Sequence, residues 1–287
     1  MSRPVLRTAV TLVLLGGLVA CGGQSGDQPG ETAAPIPDPA LAACVAAAGA
    51  ELGAIEELHC DGLDSAQGPI RSLEGLQQLT GLFVLDAPRN EISDFAPLAG
   101  LPRLGTLTLT DNAVSDLSPL SGLALYDVGL SQNPVSDLSP LAGTTTLRAL
   151  GVAAAQLTDI GPLAGHDALS DLDLSGNAIT DVSPLAGLPS LDTLRLSENQ
   201  VVDPAPLGTI PTLLVLDVFG NRITDVSGLA GAPLLQELQL GANPLTDLTP
   251  LVAVRSLVNV GLDETDTSGI TGIAELEAAG VSVNGLA

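Results

Sequence analysis

Leucine recurs along most of the chain in segments of the form Leu-x-x-Leu-x-Leu-x-x-Asn, of which Leu191–Asn199 is a clear copy. The asparagines that end these segments are 22 residues apart, except for a step of 21 from Asn112 to Asn133 and a step of 44 from Asn133 to Asn177, where Ala155 occupies the missing position. This period predicts a solenoid, because each unit is too small to bury its apolar edge without a neighbour. The asparagines are Asn90, Asn112, Asn133, Asn177, Asn199, Asn221 and Asn243.

Each segment predicts one short strand. Its last two leucines are two residues apart and therefore point to the same side of a strand, while the residues between them point to the other side. Stacked units place these strands in a parallel sheet over a shared leucine core. Pro-Leu pairs such as Pro184–Leu185 recur on the returning chain. Proline lacks a backbone donor, so we expect short helical turns or extended chain there and no second sheet.

The complete unit resembles the 22-residue leucine-rich repeat of bacterial internalin-like proteins. After the asparagine it continues as x-Ile/Val/Leu-x-Asp-x-x-Pro-Leu-x-x-Leu, as in residues 177–188. The resemblance extends from about Ile55 to the C-terminus. It implies an α/β-type solenoid that is mostly β: a right-handed superhelix with short parallel strands on the concave face, short 3-10 or irregular turns on the convex face, and an N-terminal helical cap.

Two polar ladders accompany the leucines. A carboxamide both donates and accepts hydrogen bonds, so the asparagines are expected to satisfy backbone groups between neighbouring repeats. A recurrent aspartate four residues later is expected to cap the following turn. A row of metal sites is the alternative, but one carboxylate per unit is too few for a hard cation, so no metal or other cofactor is predicted. The aspartates are Asp94, Asp116, Asp137, Asp159, Asp181, Asp203, Asp225 and Asp247.

The N-terminus is typical of an export signal. Arg3 and Arg7 precede a mostly apolar stretch that ends in Leu18-Val-Ala-Cys21. These four residues resemble the bacterial lipobox, which implies acylation of Cys21; an ordinary cleaved signal with an incidental cysteine is the alternative. The resemblance implies an exported lipoprotein anchored to the membrane through its N-terminal acyl chains only. Because Gly22 follows the cysteine, the implied address is the outer membrane in a Gram-negative cell, and otherwise the outer face of the plasma membrane.

The remaining chain divides into a lipidated flexible tether (21–37) after the signal peptide (1–20), a cap helix (38–54), the repeats (55–268) and a C-terminal cap (269–287). Cys44 lies on the predicted cap helix and Cys60 on the first strand segment. Export permits oxidation, so we predict a Cys44–Cys60 disulfide that joins the cap to the first repeat. Two buried free thiols are the alternative.

The outward strand positions form columns along the exposed sheet face. One column contains Asp173, Arg195 and Asp217, and the column beside it contains Asp171 and Val215. With Phe219 these residues are our candidate partner-binding patch. A surface ion network without a ligand is the alternative. The fourth repeat, where Gly151–Ala155 lacks large side chains and His166 occupies an apolar return position, is predicted to be either a locally weakened repeat or a shallow groove.

Composition narrows the function. The formal net charge is −24, which disfavours nucleic acid and anionic lipid headgroups as partners. No phosphate loop, zinc spacing or nucleophile elbow is present, so an enzyme is not predicted. We therefore expect a monomeric protein that binds an unknown protein ligand through the concave sheet face. A structural envelope protein without a dedicated partner is the alternative, and surface adhesion is a third hypothesis that depends on the internalin resemblance alone.

Overall fold

Eleven three-residue strands form one open parallel sheet whose spatial order follows the sequence. The computed structural model describes residues 35–63 and 66–286, and these belong to the unit Ala34–Ala287. The predicted signal peptide, Cys21 and the tether up to residue 34 lie outside the described residues. The strands are β1 (Glu57–His59), β2 (Val84–Asp86), β3 (Thr106–Thr108), β4 (Asp127–Gly129), β5 (Ala149–Gly151), β6 (Asp171–Asp173), β7 (Thr193–Arg195), β8 (Val215–Asp217), β9 (Glu237–Gln239), β10 (Asn259–Gly261) and β11 (Ser282–Asn284).

Short 3-10 helices form the return side of the repeats, which confirms the predicted solenoid. A single leucine or valine at the centre of each of β1–β10 is almost completely buried, so the core is a continuous row of these side chains. The 3-10 helices are Leu52–Ala54, Leu76–Gln78, Ala96–Leu98, Ser118–Leu120, Ser139–Leu141, Gly161–Leu163, Ser183–Leu185, Ala205–Thr209, Ser227–Gly231 and Thr249–Ala253. Two isolated parallel bridges, Asp225–Asp247 and Asp247–Thr271, also join neighbouring returns.

The strands β2–β10 each turn into their loops through a left-handed residue. From Arg89 to Glu264, the residue before every asparagine position has φ between 50° and 68°. Only two of these residues, Gly176 and Gly220, are glycines, and the others adopt a conformation that side chains disfavour. The loop hydrogen bonds of the neighbouring repeats hold the chain in this conformation.

The repeat that is one residue short keeps its strand in register. Leu107 of β3 pairs with Val128 of β4, and the flanking pairs follow without a bulge. The deletion is therefore absorbed before β4, between Leu123 and Leu125, where the chain is still on the return side. The outward columns consequently continue through this repeat.

A helix and a disulfide close the N-terminal end of the core. Helix α1 (Pro39–Ala47) begins at Asp38, whose carboxylate accepts hydrogen bonds from the backbone N–H groups of Ala40 at 2.9 Å and Leu41 at 3.0 Å. Cys44 on this helix is bonded to Cys60, which follows β1 directly, and their Cα atoms are 5.8 Å apart. The disulfide thus joins the helix to the first strand of the sheet.

At the opposite end, helix α2 (Ile273–Ala278) and strand β11 cover the last repeat. Leu276 of the helix is completely buried, and Val283 pairs with Val260 of β10. Both ends of the leucine core are therefore covered, while the outward side of the sheet is not covered by any other element of the described chain.

Candidate binding surface

The outward residues of the strands form the columns that the sequence predicts. We call the first and third positions of β1–β11 the sheet face. Asp173 pairs with Arg195 and Arg195 with Asp217, while Asp171 and Val215 both neighbour Thr193. The candidate patch is thus assembled on three adjacent strands, because every strand pairs in parallel register with the next.

Negative charge dominates the sheet face. Arg195 is the only arginine or lysine at these positions, whereas many of them carry a carboxylate. The Arg195 guanidinium donates to Asp171 at 2.9 Å. Asp173 and Asp217 instead accept backbone N–H groups two residues later, each at 3.0 Å. The ion pair therefore joins only two of the residues of the candidate patch. The carboxylates are Glu57, Asp86, Asp127, Asp171, Asp173, Asp217 and Glu237.

The pKa of Asp127 is raised by burial and in part by this crowding of negative charge. Burial raises the pKa of Asp127 above its usual value, and the negative charge of Asp171, two strands away, raises it further. The folded protein thus disfavours the charged form of this carboxyl group relative to the same group in water. A cation bound in front of β4–β6 would relieve this repulsion.

Phe219 and Val215 lie beside the carboxylates as predicted, but neither is fully exposed. Val215 occupies an outward position of β8, and Phe219 follows that strand at the loop edge, where its backbone N–H donates to Asp217. They flank Asp217 along the chain and supply the apolar side chains of the candidate patch.

The asparagine ladder has a structural role, because every one of its side chains is occupied by backbone partners. Asn112 is representative: its oxygen accepts the N–H of Ile92 at 2.9 Å, and its nitrogen donates to the carbonyls of Ala87 and Leu109 at 3.0 Å. Equivalent bonds recur at the other ladder asparagines. These groups are therefore used within the solenoid and are not available to a ligand.

Each aspartate of the ladder satisfies the first backbone N–H of a return helix from the position before its N-cap residue. Each of these carboxylates accepts the backbone N–H of the residue two positions later, at 2.7–2.9 Å. In Asp225, the hydrogen bond from the Ser227 backbone lowers the pKa below its usual value. Within residues 35–63 and 66–286, no group of histidine, cysteine or acidic side chains is arranged to hold a metal ion.

The structure reveals a second surface feature that the sequence analysis missed. The rings of Phe83 and Tyr126 lie with their centroids 6.3 Å apart, and the Arg148 guanidinium lies 6.0 Å from the centre of the Tyr126 ring. Gly105 lies between the two rings, and a Cβ on it would fall 2.5 Å from Phe83 and 2.9 Å from Tyr126. We call Phe83, Tyr126 and Arg148 the aromatic–arginine cluster. The sequence did contain a signal for this cluster. Its three residues and Gly105 occupy the same position in four consecutive repeats, immediately before β2–β5.

His166 is a buried part of the fourth repeat. Its ring nitrogens lie 3.2 Å from the Leu163 carbonyl oxygen and 3.1 Å from that of Leu141. Both carbonyls also accept backbone N–H groups, from His166 itself and from Thr144. The histidine therefore fills an apolar position beside carbonyls that already have backbone donors, and a neutral ring can donate to only one of them.

Comparison with known proteins identifies the family. The family model described as leucine rich repeats (2 copies) matches residues 167–208 and 211–253. The structure is similar to an internalin (inlF) of Listeria monocytogenes, with 28% sequence identity, 87% of this chain and 83% of that chain covered, and a TM-score of 0.73. An internalin C2 (inlC2) of the same species is 33% identical over 79% of this chain and 93% of that chain, with a TM-score of 0.61. The chain belongs to the internalin-like leucine-rich repeat proteins.

Other comparisons add little beyond the internalin-like fold. The functional domain of InlJ from Listeria monocytogenes is 23% identical, with 87% of this chain and 60% of that chain covered and a TM-score of 0.63. No curated protein matches the sequence. Among the described helices, none is both long enough and apolar enough to cross a bilayer. Solenoids of this kind interact with other proteins through their extended sheet surfaces.

Proposed function

We propose that this internalin-like protein is an exported lipoprotein, anchored through Cys21, that binds another protein at the cell envelope through its sheet face. The observation that carries the proposal is the row of carboxylates on β4–β9, which is balanced at the outward positions of these strands only by Arg195. The partner chemistry that fits is a segment rich in lysine or arginine. Such a segment would be drawn to the surface by its charge and held there by desolvated ion pairs.

The apolar side chains of the patch favour a protein over a small cation as the ligand. Val215 and Phe219 lie on either side of Asp217 along the chain. Protein interfaces combine an apolar contact with a polar rim, and Phe219 is one of few aromatic side chains in the chain that can supply such a contact. A partner would therefore place an apolar side chain near Phe219 and its basic groups over β4–β9.

Substitution of three central carboxylates tests the sheet face. In Asp171→Asn, Asp173→Asn and Asp217→Asn combined, the amide oxygens can still accept the local backbone hydrogen bonds, so the fold should be preserved while the charge is removed. Saturable capture of a partner from envelope extracts should be lost, and capture by the unmodified protein should weaken as salt concentration rises.

A matched variant controls for net charge. Glu51→Gln, Glu275→Gln and Glu277→Gln remove the same charge from exposed positions outside the sheet face and should leave capture unchanged. Arg195→Gln should have the opposite effect and strengthen capture, because it removes the positive charge that pairs with Asp171 and frees that carboxylate for the partner. Equal capture by all of these variants would contradict a role for the sheet face, and the lack of any saturable partner would favour a purely structural envelope protein.

The anchor is tested separately. Cys21→Ser removes the sulfur that the acyl chain requires, so the exported protein should move from the membrane fraction to the soluble fraction. Mass spectrometry of the N-terminal peptide should show acylation of Cys21 in the unmodified protein. Unchanged membrane association of the variant would contradict lipid anchoring, without affecting the proposal for the sheet face.

A further inference from the structure

The aromatic–arginine cluster is unusual for this chain. The sequence contains three phenylalanines, one tyrosine and no tryptophan, and Phe95 is buried in the core. Phe83 and Tyr126 nevertheless remain 39% and 38% exposed and contact each other at the start of the strands. Large aromatic side chains that stay at the surface of a chain with so few of them indicate contact with something outside the repeat core.

Positive charge sets this cluster apart from the sheet face beside it. Arg148 lies over Tyr126 and forms no ion pair with a carboxylate of the described chain. Arg222 and Arg255 also lack an ion pair there, but among the described arginines only Arg148 lies over an aromatic ring. Arg103 lies nearby in the loop before Gly105, where it pairs with Glu56 at 3.3 Å. The formal net charge of the protein is −24, yet the Arg148 guanidinium keeps its donors free beside two exposed rings. This site is therefore suited to bind an anionic group.

We propose that the aromatic–arginine cluster is a second interaction surface, which binds a protein segment that presents a carboxylate next to an apolar side chain. The carboxylate accepts hydrogen bonds from the Arg148 guanidinium, and the apolar side chain packs against the exposed edges of Phe83 and Tyr126. The interaction is opposite in charge to that of the sheet face. The two surfaces adjoin at Tyr126 and Asp127, so one partner could occupy both with segments of opposite charge.

A sugar fits this geometry less well. Stacking of a sugar ring requires an open aromatic face, but the guanidinium of Arg148 lies over Tyr126. The Phe83 ring is inclined by 40° to the Tyr126 ring, so the two rings do not form a flat platform. The geometry therefore disfavours a carbohydrate ligand, and binding of a neutral oligosaccharide would contradict the proposal.

Tyr126 is itself the reporter. It is the only tyrosine of a chain without tryptophan, so the tyrosine emission of the full-length protein originates in the cluster. The probe is a synthetic peptide that alternates glutamate and leucine. A saturable change in emission is expected on titration. The same peptide with lysine in place of glutamate should produce none in the combined variant Asp171→Asn, Asp173→Asn and Asp217→Asn, which lacks the central carboxylates of the sheet face. Arg148→Gln should weaken binding of the glutamate peptide about tenfold, as loss of a charge-assisted contact predicts.

Matched variants separate the cluster from general effects. Arg222→Gln removes another arginine without an ion pair in the described chain and should leave the affinity unchanged. Phe83→Ala should weaken binding, while Val258→Ala, which truncates an exposed apolar side chain at the same position of a distant repeat, should not. Far-UV circular dichroism would confirm that each variant is folded.

Several results would overturn the proposal: no emission change with the glutamate peptide, equal affinities of Arg148→Gln and Arg222→Gln, or a response to a neutral oligosaccharide that Phe83→Ala abolishes. A response to the lysine peptide that persists when Asp171, Asp173 and Asp217 are changed to asparagine would also count against it. A lysine response that disappears in that variant reports binding at the sheet face and leaves the glutamate-peptide result as the test of the cluster, so the two proposals fail independently.

Discussion

The asparagine ladder is interrupted at Ala155, and the hydrogen bonds there indicate that positions 134 and 155 are energetically coupled. In the regular repeats, the N–H two residues after a ladder asparagine donates to the side-chain oxygen of the next asparagine, as Val114 does to Asn133 at 2.9 Å. The N–H of Val135 instead donates to the Asn133 carbonyl at 2.8 Å, around Pro134. This three-residue turn suits the fixed φ of proline, and it satisfies the N–H that an asparagine at position 155 would otherwise bind.

The same combination occurs once more, which supports a physical link. Leu245 donates to the Asn243 carbonyl at 2.9 Å around Pro244, and the following ladder position is Thr265. In the regular repeats the residue in place of the proline also donates to the preceding repeat, as Ala113 does to Ile92 at 2.9 Å. Proline removes that donor. A proline after the asparagine and the loss of the next carboxamide therefore accompany each other.

We predict that Pro134→Ala and Ala155→Asn stabilise the protein together but not separately. With Ala155→Asn alone, the new carboxamide would find the Val135 N–H already bonded, and Pro134→Ala alone would loosen the turn that bonds it. Together they would restore up to two hydrogen bonds, each with a net value of about 1 kcal/mol, so the coupling free energy should be about 1–2 kcal/mol in favour of the double variant. Space is available, because an open cleft is lined by Asn133, Pro134 and Ala155.

Equilibrium unfolding in urea, followed by far-UV circular dichroism, would measure this coupling in a double-mutant cycle. Pro134→Ala combined with Thr265→Asn is the control, since the two positions lie in distant repeats and their effects should add. If the effects of Pro134→Ala and Ala155→Asn also add to within about 0.5 kcal/mol, the proposed link between the turn and the missing carboxamide is wrong.

Three further predictions follow from the described contacts. Replacing Cys44 and Cys60 by serine opens a crosslink between residues 16 positions apart and should lower the free energy of unfolding by about 3 kcal/mol; a urea midpoint that does not change would show that the cap is held by packing alone. The raised pKa of Asp127 means that the folded state holds this proton more tightly than the unfolded state, so stability is lost as the pH rises from the unfolded value of 3.8 through the folded pKa. Asp127→Asn should therefore be more stable than the parent protein at pH 7, with a gain that shrinks below pH 3.8, and a gain that instead grows in acid would reverse the assignment. His166→Leu should raise stability by about 1 kcal/mol, because the carbonyls beside the ring keep their backbone donors while a buried polar group is removed; a lower melting temperature would show that the imidazole bonds contribute more than its burial costs.

Much of this architecture could be worked out from the order of residues alone. The spacing of leucines placed the strands, and their alternation separated core from surface, because side chains point to opposite faces at successive strand positions. Since each unit has nearly the same length, the sequence also predicts the column through Asp173, Arg195 and Asp217, which the strand pairing confirms. Local rules were sufficient wherever a feature depended on one repeat and its immediate neighbour.

Other features depend on how particular side chains meet after the repeats stack. Phe83 and Tyr126 are two repeats apart and touch only because Gly105 has no Cβ to separate them. Arg195 had several carboxylates within reach, and its rotamer in the folded chain selects Asp171. The repeat pattern determines which residues become neighbours. Whether those neighbours make contact at the surface depends on the size and direction of their side chains, which only the folded chain specifies.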